Sequence, residues 1–136
     1  MENLTLIIPA KYEEASLPLV LKEIENLNCK IYIILEKTDL KTIESIKNFN
    51  CKIIFQSSAG YGSALIEGIN KVDTKYLCIF NGDGSFEPKH VEKMMNICQK
   101  YNFVFASRYL KGGGSDDDTL ITRIGNFIFT SIGNIF

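Results

Sequence analysis

Several signatures that would fix a function at sight are missing from this 136-residue chain. It has almost no net charge (−1). No basic excess invites nucleic acid and no acidic tail makes a solvated arm, so nucleic acid is not expected as a partner. The four cysteines, Cys29, Cys51, Cys78 and Cys98, form no CxxC pair, which argues against a zinc site and a disulfide framework. They read as reduced core thiols of a cytoplasmic protein. No apolar run reaches the roughly 18 residues of a membrane span. The N-terminus lacks the basic flank, long apolar stretch and small-residue cleavage site of a signal peptide, so none is expected. The single histidine, His90, has no His or Cys near it and reads as structural or solvated. Nothing in the chain stands out as a general base.

What is present is a single-domain length with 46% hydrophobic residues, enough for a real core. Short β-type runs alternate with helical patterns. LTLII (4–8), IYIIL (31–35), KIIF (52–55), YLCIF (76–80) and FVFAS (103–107) read as five strands. Leu17, Val20, Leu21, Ile24 and Leu27 fall at helical spacing, with Ser16 as a candidate N-cap and Pro18 in the first turn. Thr38 or Asp39 can cap a helix carrying Leu40, Ile43 and Ile46. A third helix opens at Gly60-Tyr61-Gly62 and carries Leu65, Ile69 and Val72; a fourth runs from Pro88 to Tyr101. This alternation predicts a three-layer α/β sandwich with a mainly parallel sheet covered on both faces. Ligands of such sheets bind outside the carboxyl ends of the strands. That rule selects 9–14, 35–39, 56–62 and 81–87.

Each of these segments has two readings. Asn81-Gly82-Asp83-Gly84 is either a Gly-rich turn or a site where Asp83 places a carboxylate on Mg2+ or Mn2+, which in turn holds a diphosphate. Asn81 can lend a neutral oxygen or bond a ribose. Gly60-Tyr61-Gly62 is either a tight strand-to-helix turn or a helix start whose N–H groups face a phosphate. Leu65 stands where a dinucleotide fingerprint has its third glycine, so this is no NAD motif. Pro9-Ala10-Lys11-Tyr12-Glu13-Glu14 is a polar loop or one wall of a ligand crevice. Arg108 and Arg123, the two arginines, either snorkel at the surface or clamp phosphates.

In order, LIIPAKYEE, SAGYGSALIEGI, YLCIFNGDGSFEP and FVFASRYLKGGG resemble the motifs of the family 2 glycosyltransferases. These have the GT-A fold, and the resemblance is greatest to the branch that includes dolichol-phosphate mannose synthase. It covers essentially the whole chain. It implies a Rossmann-like nucleotide-sugar-binding domain and an inverting transfer from a UDP- or GDP-sugar to a polyprenyl phosphate or another acceptor. It implies that Pro9, Ala10, Lys11, Glu13 and Glu36 hold base and ribose, together with Gly60, Gly62, Asn81 and Gly82 along the donor. Asp83, joined by Ser85 and Asn81, would hold Mg2+ or Mn2+, and Arg108 and Arg123 would contact donor or acceptor phosphates. Three departures stand out. Asn81 replaces the family's first Asp, Lys11-Tyr12 replaces Tyr-Asn, and the acidic pair after strand two is reduced to Leu35-Glu36.

Family catalytic domains run well past the length of this chain, so the fold is expected to be C-terminally truncated. The nucleotide-sugar domain is expected over 1–118. The apolar segment 119–136 is expected to be a helix facing the acceptor or packing on a second copy of the chain. The implied location is cytoplasmic and peripheral, at the inner face of the membrane.

Overall fold

The computed structural model describes residues 1–107 and 119–133, without the side chain of Arg123. Its centre is a four-stranded, all-parallel sheet of β1 (Leu4–Pro9), β2 (Lys30–Leu35), β3 (Lys52–Phe55) and β4 (Tyr76–Ile79), in the order β3-β2-β1-β4. Thr5 pairs with Lys30 and Pro9 with Ile34 on one side of β1, and Leu4 pairs with Tyr76 and Ile7 with Ile79 on the other. The helices are α1 (Leu17–Ile24), α2 (Leu40–Ile46), α3 (Tyr61–Ile69), α4 (Lys89–Cys98) and α5 (Leu120–Gly133).

β1 is a continuous apolar run because it is central and covered on both faces. Leu4, Leu6 and Ile8 enter the larger core with Leu17, Val20, Leu21 and Ile24 of α1 and with Ile46 and Val91. Ile7 turns the other way and joins Tyr32, Ile34 and Ala64 under α3. Thr5, the polar exception, is fully buried and shares a hydrogen bond of 2.7 Å with Thr74 Oγ1. Pro18 starts α1 as expected. A 3-10 turn, Glu25–Leu27, and the left-handed Asn28 (φ 47°) then carry the chain into β2.

Four of the five expected strands form. FVFAS does not: among the described residues, 103–107 belong to no strand, and Phe103 and Phe105 are 80% and 87% exposed. A strand needs a partner's ladder as well as apolar residues. Among the described strands β4 pairs with β1 alone, and Leu77 and Ile79 on its α3-side face are 42% and 37% exposed. The second face of the sheet is therefore covered less completely than the first.

α3 also differs from expectation. Its buried residues are Ala64 and Gly68, while Ile69 is exposed and Leu65 and Val72 are half-buried. A Cβ on Gly68 would lie 2.7 Å from Ile7 Cγ2 and 2.9 Å from Ile34 Cδ1. The helix rides so close to the sheet that only small residues fit beneath it. α5 forms within the expected C-terminal segment, and Leu120, Ile121, Phe127 and Phe129 on it are exposed. Among the described residues no helix is long and apolar enough to cross a membrane.

Candidate functional site

The sheet order reverses at β1: β2 and β3 lie to one side and β4 to the other. The crevice beside the carboxyl ends of β1 and β4 is thus the switch point where open α/β sheets bind ligands. Four loops meet at this edge.

The loop after β1 is the most constrained. The buried Ala10 donates its N–H to Ile34 O at 2.9 Å, extending the β1–β2 pairing by one residue. Lys11 Nζ then donates to Glu36 Oε1 at 3.0 Å, so two expected donor contacts form an ion pair across the strand ends. That bond, and then the charge of Glu36, raises the Lys11 pKa above its ordinary value. Tyr12 adopts φ 59°, unusual for a non-glycine residue, and its N–H donates to Asp39 Oδ2 at 2.8 Å. Glu13 N donates to Thr42 Oγ1 at 3.0 Å. The Glu13 carboxylate turns back to accept from the Ser16 hydroxyl. Ser16 occupies the N-cap position of α1 as expected, but its side chain makes no capping bond.

At the start of α2, Asp39 is the side-chain cap, accepting from Thr42 N at 3.4 Å. After β3, Ser57 donates its N–H (2.8 Å) and hydroxyl (2.9 Å) to Glu67 Oε1 of α3, which Ser63 Oγ approaches at 3.3 Å. The backbone donor of Ser57 leads in lowering the Glu67 pKa. The sequence signals this contact only weakly: Glu67 shares a helix face with Ser63, four residues earlier. Gly60 takes φ 108°, a turn that excludes side chains. A Cβ at Gly62 would meet nothing within 4 Å, so protein packing does not demand that glycine.

The loop after β4 is a compact polar turn. Ser85 N donates to Asp83 Oδ1 at 2.9 Å, and Asn81 Nδ2 donates to Ser85 Oγ at 3.2 Å. Gly84 carries the left-handed φ of 82°. The turn is held at both ends. A Cβ on Gly82 would sit 3.3 Å from Ile8 Cγ2 and from Leu17 Cδ1, so the backbone lies against β1 and α1. Beyond the turn, Phe86 packs edge-on to the buried Phe80, with centroids 5.7 Å apart.

The expected metal residues Asn81, Asp83 and Ser85 are thus brought together. Among the described residues no three His, Cys, Asp or Glu side chains gather in one place. The turn offers one carboxylate, one amide oxygen and one hydroxyl. Mg2+ is commonly held by one or two carboxylates plus substrate phosphates. This donor set fits an ion shared with a diphosphate, not a cage made by protein alone. Arg108 lies outside the described residues, as does the side chain of Arg123, although the Arg123 backbone belongs to α5. Two surface hollows of about 380 and 450 Å³ lie at the opposite, amino edge of the sheet, beside Cys29 and Cys51 and beside Met1 and Met95. Neither is lined by the carboxyl-edge loops.

A parallel sheet flanked by helices, with its polar loops at the carboxyl edge, is the Rossmann-like architecture of GT-A nucleotide-sugar-binding domains. Residues 5–135 match the family model for glycosyl transferase family 2, and the chain belongs to that family. Among solved structures, the chain is similar to a CMP:2-keto-3-deoxy-manno-octonic acid synthetase in complex with CTP, with a TM-score of 0.57 and 15% identity. The similarity covers 76% of this chain and 50% of the synthetase, so this chain spans about half the length of that relative. At that identity the likeness concerns the fold alone. No curated protein matches the chain.

Proposed function

We propose that this chain binds a nucleotide diphosphate sugar, UDP- or GDP-linked, and transfers the sugar with inversion to a polyprenyl phosphate or a related acceptor. What supports the reading is that the Lys11–Glu36 pair and the turns at 60–62 and 81–85 all follow the carboxyl ends of parallel strands, in a chain whose residues 5–135 match the family. Pro9, Ala10, Lys11, Glu13 and Glu36 form the nucleoside wall. Gly60 and Gly62 leave room for phosphate oxygens at the start of α3, and Gly82 brings the β4 loop up beside β1. Asp83, with Asn81 and Ser85, would hold Mg2+ or Mn2+. Such an ion offsets the negative charge that develops on the departing nucleoside diphosphate. Arg108 and Arg123 would contact the phosphates of donor or acceptor.

In the reaction an acceptor oxygen forms a bond to the anomeric carbon from the face opposite the diphosphate. The bond from that carbon to the diphosphate oxygen breaks, and its electron pair leaves with the nucleotide. A phosphate acceptor is already an anion near neutral pH and needs no deprotonation, which suits a chain without an evident general base. Residues 1–118 act as the donor domain. The apolar α5 within 119–136 faces the acceptor at the cytoplasmic membrane surface or meets a second copy of the chain.

Two observations favour a second reading, a catalytically silent nucleotide-sugar-binding module. Asn81 brings no charge, and Asp83 Oδ1 is already engaged by Ser85 N. A sugar nucleotidyltransferase, the activity class of the synthetase, is less favoured, because PAKYEE after β1 is not a glycine-rich basic phosphate loop. Calorimetric titration with UDP, GDP and their sugars, with and without Mn2+, tests the donor site. Metal-dependent binding is expected, and no binding to any of them overturns the reading. Turnover of a bound nucleotide sugar separates the enzyme from the silent module.

A further inference from the structure

Two polar side chains at the start of α2 are buried as deeply as the apolar core: Asp39 is 4% exposed and Thr42 0%. An ordinary N-cap satisfies the amides of its own helix and faces water with the rest of its side chain. Asp39 does more. One carboxylate oxygen caps Thr42 N, and the other accepts the N–H of Tyr12 at 2.8 Å. Thr42 Oγ1 then accepts the next amide, Glu13 N, at 3.0 Å. Two consecutive backbone donors of the β1 loop are therefore captured by one helix start, from residues far away in sequence. Buried polar groups of this kind are satisfied in a single geometry, and losing one partner leaves the other unpaired in the core.

The captured segment needs such restraint. Tyr12 holds φ 59°, which an L-residue with a large side chain adopts only where its surroundings impose it. Lys11 lies between two fixed points: Ala10, bonded to Ile34 O, and Tyr12, bonded to Asp39. With both neighbours anchored, the Lys11 side chain leaves the loop toward Glu36.

We propose that Asp39 and Thr42 are positioning residues for donor binding: they clamp the Tyr12 and Glu13 amides so that Lys11 and Glu36 present their paired head groups at the carboxyl edge. The inference rests on the donor reading above. Neither residue touches the nucleotide; both act through the β1 loop.

The test uses the full chain and calorimetric titration with UDP and with GDP in the presence of Mn2+, well below each variant's thermal midpoint. Thr42→Val keeps the shape of the side chain and removes the acceptor; Thr42→Ser keeps the acceptor. Thr42→Val is expected to weaken binding about five- to tenfold, the loss of one buried hydrogen bond, and Thr42→Ser to stay within about twofold of wild type. Glu13 amide hydrogen exchange is expected to speed up in Thr42→Val alone. In a Lys11→Met background the effect of Thr42→Val on affinity is expected to shrink, because both changes act on the same contact. A residue that merely holds the fold together gives additive losses there. If Thr42→Val does not fold, Asp39→Asn carries the test. It remains a good N-cap but keeps one acceptor oxygen where Asp39 uses two, one for Tyr12 N and one for Thr42 N. Wild-type affinity in the folded variant, or additive losses in the cycle, overturns the inference and leaves the donor reading intact. No binding of either nucleotide by the wild-type chain overturns both.

Discussion

Lys11 Nζ lies 3.0 Å from Glu36 Oε1, tying the carboxyl end of β1 to that of β2. Both side chains are solvent-accessible, so the pair adds little to stability. In the proposed donor site its consequence is local: it would fix where a cation and a carboxylate face an incoming nucleotide. Lys11→Met and Glu36→Gln are each expected to leave the thermal midpoint near that of wild type while weakening UDP or GDP binding, as read by calorimetry. The raised Lys11 pKa keeps the pair formed below the ordinary lysine value of 10.5 and releases it only as pH climbs through the raised value. Affinity should therefore show no loss from Lys11 across the neutral range and fall only in strong alkali.

The β4 turn makes a prediction of opposite signs for neighbouring positions. Asp83→Ala is expected to abolish the Mn2+ dependence of nucleotide binding, while Asn81→Asp, which adds a second carboxylate two residues away, is expected to tighten it. Unchanged affinity in Asn81→Asp would show that the first position does not reach the ion. Unchanged, metal-independent binding in Asp83→Ala would remove the metal role from this turn.

Gly68 predicts a stability effect far from the crevice. Alanine normally favours a helix over glycine by about 1 kcal/mol. Here the added methyl meets Ile7 and Ile34 inside contact distance, and overpacking of that kind costs about 1–3 kcal/mol. Gly68→Ala is expected to lower the unfolding free energy by about 1 kcal/mol net in urea titration. Gly68→Val should lower it further. A more stable Gly68→Ala protein would mean that α3 can lift from the sheet at little expense.

The thiols predict alkaline behaviour. Burial, with smaller contributions from Cys29 and Cys98, pushes the Cys78 pKa up from 9.0 to about 11. Above the unfolded value the unfolded chain ionises this thiol and the folded chain does not. The stabilisation is therefore fully present below pH 9 and lost as pH rises toward 11. Labelling of Cys78 by a thiol reagent should be slow at neutral pH, and a Cys78→Ala protein should show a shallower loss of stability between pH 9 and 11.

The parts of the fold written in local pattern were legible. Four strands, the helices between them and the parallel sheet follow from runs such as LTLII and from the helix starts marked by Pro18, Asp39 and Gly60. Two features depend on what lies across the molecule, and the sequence hid them. FVFAS has the composition of a strand, but β propensity alone does not place a segment in a sheet, and among the described residues it does not take up the free edge of β4. The α3 face was read from its large residues, whereas the close approach to Ile7 and Ile34 selects Ala64 and Gly68. The candidate site shows the same division. Asn81, Asp83 and Ser85 are close in sequence and were found together, and Lys11 and Glu36 followed from the rule about strand ends. Asp39 was legible as a cap but not as the acceptor of Tyr12 N, because that bond joins two loops whose approach is set by the β1–β2 register. Glu67 escaped for the same reason.

The placement of β1 also bears on the order in which the protein assembles. Within this fold β1 lies between β2 and β4, and its two partners follow it at different distances along the chain. The first 55 residues contain the whole β3-β2-β1 ladder with α1 and α2, all joined by short crossovers. The opposite edge of β1 stays open until Tyr76–Ile79 have been synthesised, and its closure joins residues as distant as Leu4 and Tyr76. Contacts of long sequence separation form slowly. The two walls of the crevice therefore mature separately during synthesis: the Lys11–Glu36 wall can form early, and the Asn81–Ser85 wall completes it last. Until then, β1 presents one unpaired edge in an already collapsed chain, the condition under which a nascent α/β protein is most exposed to misassociation.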